Sequence, residues 1–316
     1  MTPVAHKAIK RLAYFGLTTS DAERLSVFYQ KAMGFRRLEV GRWSGPQFER
    51  VTGLERGADS LTLGLGDEIV ELLRFDRPGR PYPVTHASTD LCFQHFAIVV
   101  TDIQAAYQRL CSVEGWSAIS TDGPQKLPVS SGGVTAFKFR DPDGHPLELL
   151  AFEVGKAPER WRAQSKIDLF LGIDHSAISV SDSARSVAFY EKLGLRTASR
   201  TLNIGIEQER LDAVVGAQVE VTALEPKLAT PHLELLCYRS AGRGKEIALR
   251  SNDIAATRLV FEADGGSSEE AIDSQALIDP DGHYLVIVAP IRDFPQAKVT
   301  ANAGSPPVLL KPESAQ

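Results

Sequence analysis

The stretch "PLELLAF" (residues 146–152) places a glutamate, Glu148, inside a run of apolar residues. A buried carboxylate without a partner is strongly destabilising, so apolar strands usually exclude it. The chain repeats this arrangement in "IVELLRF" around Glu71 and in "HLELLCY" around Glu234. Three glutamates in the same local frame indicate a repeated unit that uses its carboxylate for a common purpose.

The surroundings of these glutamates repeat as well, which is the sign of an internally duplicated fold. Four segments each read as a short strand that ends in Asp: "YFGLTTSD" (14–21), "HFAIVVTD" (95–102), "HSAISVSD" (175–182) and "EIALRSND" (246–253). An Asp in this place is a good helix N-cap, and apolar residues at helical spacing follow it. The fourth copy, after Asp253, is the weakest.

Each predicted helix is followed by strand-like stretches separated by turn residues. Residues 127–152 contain two strands with Gly132-Gly133 at one bend and "DPDG" at the other, and residues 276–290 repeat that ending. The sequence therefore predicts a strand, a helix and three strands, four times over, at about 8–76, 92–153, 170–239 and 245–291. The histidines after the two "DPDG" turns, His145 and His283, are predicted to lie on the turn surface.

A second level of repetition relates the two halves of the chain. "FERVTGL" (48–54) and "QERLDAV" (208–214) share a Glu-Arg step at corresponding positions. We therefore expect two domains of two consecutive units each, 8–155 and 168–293, joined by the polar segment 153–166. The tail 294–316 is rich in Pro, Ala and Ser, which predicts a loosely ordered segment.

Bulk composition narrows the class of protein. A formal net charge of -5 argues against a nucleic-acid-binding surface. No apolar stretch approaches the roughly 20 residues that a membrane span needs, and the first residues lack the apolar core of a secretory signal. The three scattered cysteines fit a reducing compartment better than a disulfide framework. The sequence thus predicts a cytoplasmic protein that binds neither nucleic acid nor membrane.

The pattern resembles the vicinal oxygen chelate superfamily, which includes glyoxalase I, methylmalonyl-CoA epimerase, fosfomycin and bleomycin resistance proteins, and extradiol ring-cleaving dioxygenases. The resemblance rests on the two His-to-Asp strands, the Phe-Tyr steps, the "DPDG" turns and the "ELL" strands, and it spans about residues 8–292. It implies an α+β fold of four βαβββ modules paired into two open, cup-shaped barrels. Metal ligands would lie on the first and last strands of each module and face into the cup.

The resemblance also implies which residues occupy the ligand positions. The N-terminal cup would hold Tyr14, Glu71, His95 and Glu148, and the C-terminal cup would hold His175, Glu234, Glu246 and Val286. We expect His95 and Glu148 to bind a metal, with Glu71 as third ligand or proton shuttle. Tyr14, where the family usually has His or Gln, would donate a hydrogen bond to the substrate.

Two questions about these positions stay open on sequence grounds. His95 and Glu148 could instead be a structural hydrogen-bonded pair. His175, Glu234 and Glu246 are candidates for a second metal site, but Val286 cannot bind metal, so a degenerate cup that keeps its polar pair is an equal alternative.

One histidine with two carboxylates suits one divalent ion among Zn, Mn, Ni, Co and Fe. This set favours a glyoxalase- or epimerase-like lyase or isomerase, in which the metal stabilises an enolate of a small substrate with vicinal oxygens. Extradiol ring cleavage by non-haem iron is the second hypothesis, disfavoured because neither expected cup has two histidines. A non-catalytic binding protein of the resistance type is the third. The sequence leaves a homodimer open.

Overall fold

The computed structural model describes residues 8–164, 168–228, 230–240, 244–264 and 274–290. The predicted tail 294–316 lies outside these residues. Within them the α+β class is confirmed: two large mixed sheets carry a few short helices, and neither sheet closes into a barrel. Apolar residues of both sheets and of three helices form the main core, in which Phe15 stacks on Phe96 with ring centroids 5.2 Å apart.

The strands alternate with helices in the order that the repeat predicts. In chain order the strands are β1 Ile9–Thr18, β2 Arg36–Ser44, β3 Gly57–Leu65, β4 Glu68–Phe75, β5 Gln94–Val100, β6 Ser117–Ala118, β7 Gln125–Lys126, β8 Thr135–Arg140, β9 Pro146–Ala151, β10 Phe170–Ser179, β11 Arg196–Ile204, β12 Gln218–Glu225, β13 His232–Tyr238, β14 Arg258–Ala263, β15 Gln275–Ile278 and β16 Tyr284–Val288. The helices are α1 Ala22–Met33, α2 Pro46–Thr52, α3 Ile103–Cys111, α4 Glu159–Gln164, α5 Ser183–Lys192 and α6 Ile206–Asp212.

Three of the four predicted helix starts are confirmed. Asp21, Asp102 and Asp182 each accept a hydrogen bond from a backbone N–H in the first turn of α1, α3 and α5. Helix α1 ends at Gly34, whose φ of 73° is the left-handed conformation that glycine adopts without strain. No helix in the described ranges is long and apolar enough to span a membrane.

The fourth unit begins later than the sequence repeat predicts. The segment around Glu246 forms neither strand nor helix, and the first strand of this unit is β14, beginning at Arg258. The Asp253 carboxylate does not cap a helix. It accepts hydrogen bonds from the backbone N–H groups of Arg80 and Arg250 and so joins two loops. Using Asp253 as a helix marker was therefore wrong.

The pairing of units differs from the expected one. The first sheet has the order β15-β16-β14-β1-β4-β3-β2 and combines units 1 and 4. The second has the order β11-β12-β13-β10-β5-β9-β8-β6, with β7 on β8, and combines units 2 and 3. The expectation that consecutive units share a cup was wrong, because β1 pairs antiparallel with β14 and β5 with β10. We call the concave faces of these sheets the 1/4 cup and the 2/3 cup.

Consecutive units meet instead through their helices and "DPDG" turns. His145 is buried, contacts Asp141 Oδ2 at 2.8 Å through Nδ1 and reaches the Thr18 carbonyl at 3.0 Å through Nε2. His283 is also buried and reaches the Ser179 carbonyl at 2.9 Å through Nε2 in the other half. The prediction that both histidines lie on the turn surface was wrong, because each ties its turn to the end of the first strand of the preceding unit.

Candidate metal centre

Four adjacent strands, β13-β10-β5-β9, form the middle of the 2/3 cup and carry the polar residues in register. Ala177 lies between His95 and Glu234, and Ala97 lies between His175 and Glu148. Residues paired across strands share a face, as do residues two apart on one strand. All four polar side chains therefore project to the same side of the sheet, while the two alanines leave space between them.

The donor atoms of three of these residues are close enough to share one ion. The ligand atoms of His95, Glu148 and His175 all lie within 4.8 Å of one another. Nε2 of His95 is 2.8 Å from Oε2 of Glu148, and the rings of His95 and His175 are 6.0 Å apart between centroids. His95, Glu148 and His175 are all buried, so the three donors converge in a space shielded from water.

The hydrogen bonding and charge state of His95 indicate whether a metal ion fits this site. Among the described residues neither of its ring nitrogens has a hydrogen-bond partner, although Nε2 lies 2.8 Å from the Glu148 carboxylate. Leaving a buried polar atom unpaired costs about 1–3 kcal/mol. Burial, with the positive charge of Lys138, lowers the pKa of His95 and keeps the imidazole neutral. A neutral buried imidazole with free nitrogens beside a carboxylate suits a divalent ion.

His175 is oriented by a second layer of polar contacts. Its Nδ1 lies 3.1 Å from Asp174 Oδ2, and Asp174 Oδ1 accepts a hydrogen bond of 2.8 Å from the Trp161 indole. This leaves Nε2 pointing to the cup, which is the carboxylate–histidine arrangement common behind metal ligands. Burial opposes the charge on His175, but Glu234 and Asp174 outweigh it and raise its pKa to about 9.

Glu234 is the most accessible of the four residues. Its side chain is 23% exposed, against 7% for Glu148, so it stands at the edge of the cup. Oε2 lies 3.6 Å from His175 Nε2, and Oε1 lies 3.5 Å from His232 Nε2. Burial alone would raise its pKa, but His175 and then His232 hold the pKa at about 2, so Glu234 is ionised. Asp174, His175 and His232 form an overlapping group that could also hold an ion.

A cavity of about 260 Å³ opens onto these residues. Besides the four ligand-type side chains it is lined by Lys138 of β8, by Gln208, Leu211 and Asp212 of α6, and by apolar residues such as Leu150 and Phe152. Lys138 is buried and its Nζ contacts Asp212 Oδ1 at 2.7 Å. Burial works against the charge, yet Asp212 and Glu148 raise the pKa of Lys138, so the cavity contains a fixed cation.

The 1/4 cup repeats this geometry with other residues. Gly16 lies between Glu71 and Arg258, as Ala97 lies between Glu148 and His175. Val260 lies between Tyr14 and Val286, as Ala177 lies between His95 and Glu234. Arg258 thus replaces a histidine and Val286 replaces a glutamate.

The fixed positive charge of Arg258 makes the ligand positions of the 1/4 cup unsuitable for a metal ion. The buried Arg258 guanidinium donates to Thr18 Oγ1 at 3.0 Å and to the Ser251 carbonyl, and it faces the Glu71 carboxylate. Burial raises the pKa of Glu71 to about 7, with Arg258 opposing the rise. Burial, followed by Glu71, also raises the pKa of Tyr14.

The structure therefore distributes the predicted site residues between the two cups differently from the expectation. His95 and Glu148 come together as predicted, but they are joined by His175 and Glu234. Glu71 and Tyr14 lie on the other sheet, so Glu71 cannot complete the His95 set. Glu246 is exposed in an irregular segment and joins neither cup.

Sequence reasoning missed that His95 and His175 share a site. A signal was present, because "HFAIVVTD" and "HSAISVSD" are the two most similar of the four first-strand segments. Lys138 was also missed, although a lysine between Phe137 and Phe139 in an apolar strand calls for a buried anion. Nothing in the sequence indicated Asp212 as that anion.

Comparison with known proteins agrees with the fold. Residues 11–149 match the family model of the Glyoxalase/Bleomycin resistance protein/Dioxygenase superfamily. Glyoxalase I from Zea mays aligns over 88% of this chain and 92% of its own, with 18% identity and a TM-score of 0.54. A putative dioxygenase from Bacillus subtilis aligns over 90% and 86%, with 11% identity and a TM-score of 0.51. No curated protein matches the sequence significantly.

The family match covers the first two units, and the likeness to solved structures extends over most of the chain. Residues 11–149 are therefore similar to the glyoxalase/bleomycin resistance/dioxygenase superfamily, and the described chain as a whole shares its fold with glyoxalase I. At these identities the solved structures show the shared fold alone, so the activity has to be argued from the residues of the 2/3 cup.

Proposed function

We propose that the protein is a metal-dependent isomerase or lyase that acts on a small molecule with adjacent oxygen atoms. One observation carries the proposal: two histidines and two glutamates converge in the 2/3 cup, and within the described part of the chain neither ring nitrogen of the buried His95 has a hydrogen-bond partner. His95, Glu148 and His175 would hold one divalent ion, Zn, Mn, Ni, Co or Fe, with Glu234 as a fourth ligand or a base.

The roles of the residues follow from their surroundings. Asp174 holds the Nδ1 proton of His175 and leaves Nε2 free as a ligand. When bound, the ion supplies Lewis-acid stabilisation for negative charge that develops on substrate oxygens. Lys138, which stays cationic beside Asp212, adds fixed positive charge to the same wall of the cavity.

Glu234 is the residue best suited to move a proton. It is ionised, stands at the accessible edge of the cup and has His232 beside its second oxygen. Such a carboxylate can remove a proton from a carbon next to a carbonyl and return it to the neighbouring position. The low pKa belongs to the chain without metal, where the charge on His175 is its largest electrostatic cause.

Ring cleavage is the second candidate, and one observation favours it. His95, His175 and Glu148 together are a two-histidine, one-carboxylate set, which is the arrangement that non-haem iron oxygenases use. The expectation that no cup has two histidines was wrong, because β5 and β10 bring one from each half of the chain. Glu234 distinguishes the two candidate reactions, since a second carboxylate beside Glu148 in the cup favours proton transfer.

Metal content of the chain, purified without chelator and then reconstituted, tests the site. We expect about one ion per chain, and at least a roughly tenfold lower affinity in His95→Ala and in His175→Ala. Glu71→Gln is the matched control, because this buried carboxylate occupies the equivalent position in the 1/4 cup and should leave the metal content unchanged. Equal losses of metal affinity in all three variants would contradict the assignment of the metal site to the 2/3 cup.

The reaction class is tested with the reconstituted protein. On a panel of α-hydroxycarbonyl compounds in deuterated water we expect solvent deuterium at the carbon next to the carbonyl, without oxygen uptake. Glu234→Gln should slow this exchange about 10²–10⁴-fold while keeping the metal. Oxygen uptake on catechols that only ferrous iron restores would favour the dioxygenase. A protein that binds ligands without any metal would favour the third hypothesis.

A further inference from the structure

A bulge in β10 decides which face of the second sheet His175 occupies. Ile173 pairs with Ile98 of β5. His175 pairs with the preceding residue of β5, Ala97, so Asp174 is an extra residue in β10. Without it Ile173 and His175 would share a face, because strand side chains alternate. Instead Ile173 lies in the main core and His175 lines the cavity, so the bulge directs this proposed ligand into the cup.

Three residues from outside this sheet hold the bulge: Glu68 of β4, and Arg160 and Trp161 of α4. We call them the bulge clamp. The Glu68 carboxylate accepts a hydrogen bond of 2.9 Å from the Ile173 N–H through Oε2 and pairs with Arg160 through Oε1. The Trp161 indole donates to Asp174 Oδ1 at 2.8 Å, and the Arg160 guanidinium lies 4.8 Å from the centre of the indole ring. Glu68 and Trp161 are buried, so water does not compete for these contacts.

Gly172 of β10 makes room for the bulge clamp. A Cβ atom there would overlap Glu68 Oε2 and would lie 3.1 Å from the Trp161 ring. A larger residue at position 172 would therefore push Glu68 and Trp161 away from β10. The clamp thus rests directly on the strand.

A bulge of this type does not need a clamp in order to form. Strand β1 of the first sheet has an extra residue at Ala13, just before Tyr14, so its register shifts as that of β10 does before His175. The methyl group of Ala13 has no hydrogen-bonding atom, whereas Asp174 contacts both the Trp161 indole and the Nδ1 of His175. The clamp therefore accompanies the bulge that carries a proposed ligand, which indicates a role at the metal site.

We propose that the bulge clamp positions the metal site: it fixes Asp174, and through Asp174 it sets the direction of His175 Nε2. The inference rests on the proposed function and extends its site to the segment that joins the two halves and to the first sheet. None of the three clamp residues lines the cavity, so they act as positioning residues. They determine how tightly and in which geometry the ion is held, because contacts behind a ligand orient it.

Cobalt titrations of the metal-free protein test this role. Trp161→Phe keeps an aromatic ring in place but removes the donor to Asp174, so we expect about tenfold weaker cobalt binding. Glu68→Gln has one acceptor oxygen in place of two, so it can keep its contact with Ile173 or with Arg160 but not both. This variant should weaken cobalt binding by a similar factor. The visible spectrum of the bound cobalt should change in both variants, since it depends on the coordination geometry.

Glu262→Gln is the matched control. Glu262 is a buried carboxylate of β14 that likewise uses one oxygen for Lys10 and the other for Arg11. Its substitution should lower stability as Glu68→Gln does, yet leave the affinity for cobalt and the cobalt spectrum unchanged. If Glu68 had a purely structural role, the two variants would give the same cobalt affinity and spectrum.

A double-mutant cycle shows whether the clamp acts through His175. In a His175→Ala background, Trp161→Phe should cause no further loss of cobalt affinity, because the ligand that it positions is gone. Unchanged affinity and spectrum in Trp161→Phe and Glu68→Gln, or an equal further loss in the His175→Ala background, would overturn the inference. If Glu68→Gln does not fold, Trp161→Phe decides the test alone. An unmodified protein that binds no cobalt would overturn the metal site itself, which is a different failure.

Discussion

At the scale of single residues, the charge state of His175 decides how the candidate site takes up a metal. In the metal-free chain its pKa is raised to about 9, so at neutral pH the imidazole carries a proton that an ion has to displace. His95 is held neutral by burial, and the pKa values of Glu148 and Glu234 are lowered. Metal binding near pH 7 should therefore release about one proton, and affinity should rise about tenfold per pH unit up to pH 9.

Calorimetry in buffers with different ionisation enthalpies measures the number of protons released on metal binding.

The raised pKa of His175 also affects stability, because the pKa in the folded chain lies above the unfolded value of 6.5. The metal-free chain thus gains stability from this group below pH 6.5 and loses it as the pH rises through 9. An affinity independent of pH between 6 and 8 would mean that His175 is neutral in the empty site.

At the scale of elements, the "DPDG" turns are predicted to lock consecutive units together. His145 contacts Asp141 and the end of β1, and the Tyr29 hydroxyl also donates to Asp141, at 3.1 Å. His145→Ala leaves a buried carboxylate and a carbonyl short of donors, so we expect a loss of about 2–4 kcal/mol in the free energy of unfolding. Denaturant unfolding measures this loss of stability.

The other half of the chain supplies the counterpart variant. His283 makes the matching contact with Ser179, and Tyr190 donates to Asp279 at 3.1 Å. His283→Ala should cost a similar amount, and both variants should keep their metal because neither residue lies in the 2/3 cup. A cost below about 0.5 kcal/mol for either would show that the turn is held by its other contacts.

At the scale of the whole molecule, each sheet is shared between the two halves of the chain. His95 and Glu148 come from the first half, and His175 and Glu234 from the second, across the pairing of β5 with β10. A chain split inside the segment 165–167 should therefore give two fragments that bind no metal as monomers. Mixing them should restore about one ion per pair, because the two edges complete each other's hydrogen bonds.

Size-exclusion chromatography with metal analysis of each fraction follows this complementation. The intact chain serves as the control, and a His175→Ala second fragment should pair with the first but fail to restore the ion. A monomeric N-terminal fragment that binds metal as tightly as the intact chain would show that the halves are independent domains.

The amino-acid sequence by itself determined the repeating unit, its helix caps and the positions that face a cup. These properties are local: the Asp caps, the alternation around Glu148 and the small residue two places after His95 act within a few residues. Only the tertiary structure decided which units share a sheet. Hydrogen bonding between the edges of β5 and β10, or of β1 and β14, joins strands about 80 or 250 residues apart, and nothing in a local repeat encodes it. That pairing gave the 2/3 cup both histidines and left Glu71 beside Arg258.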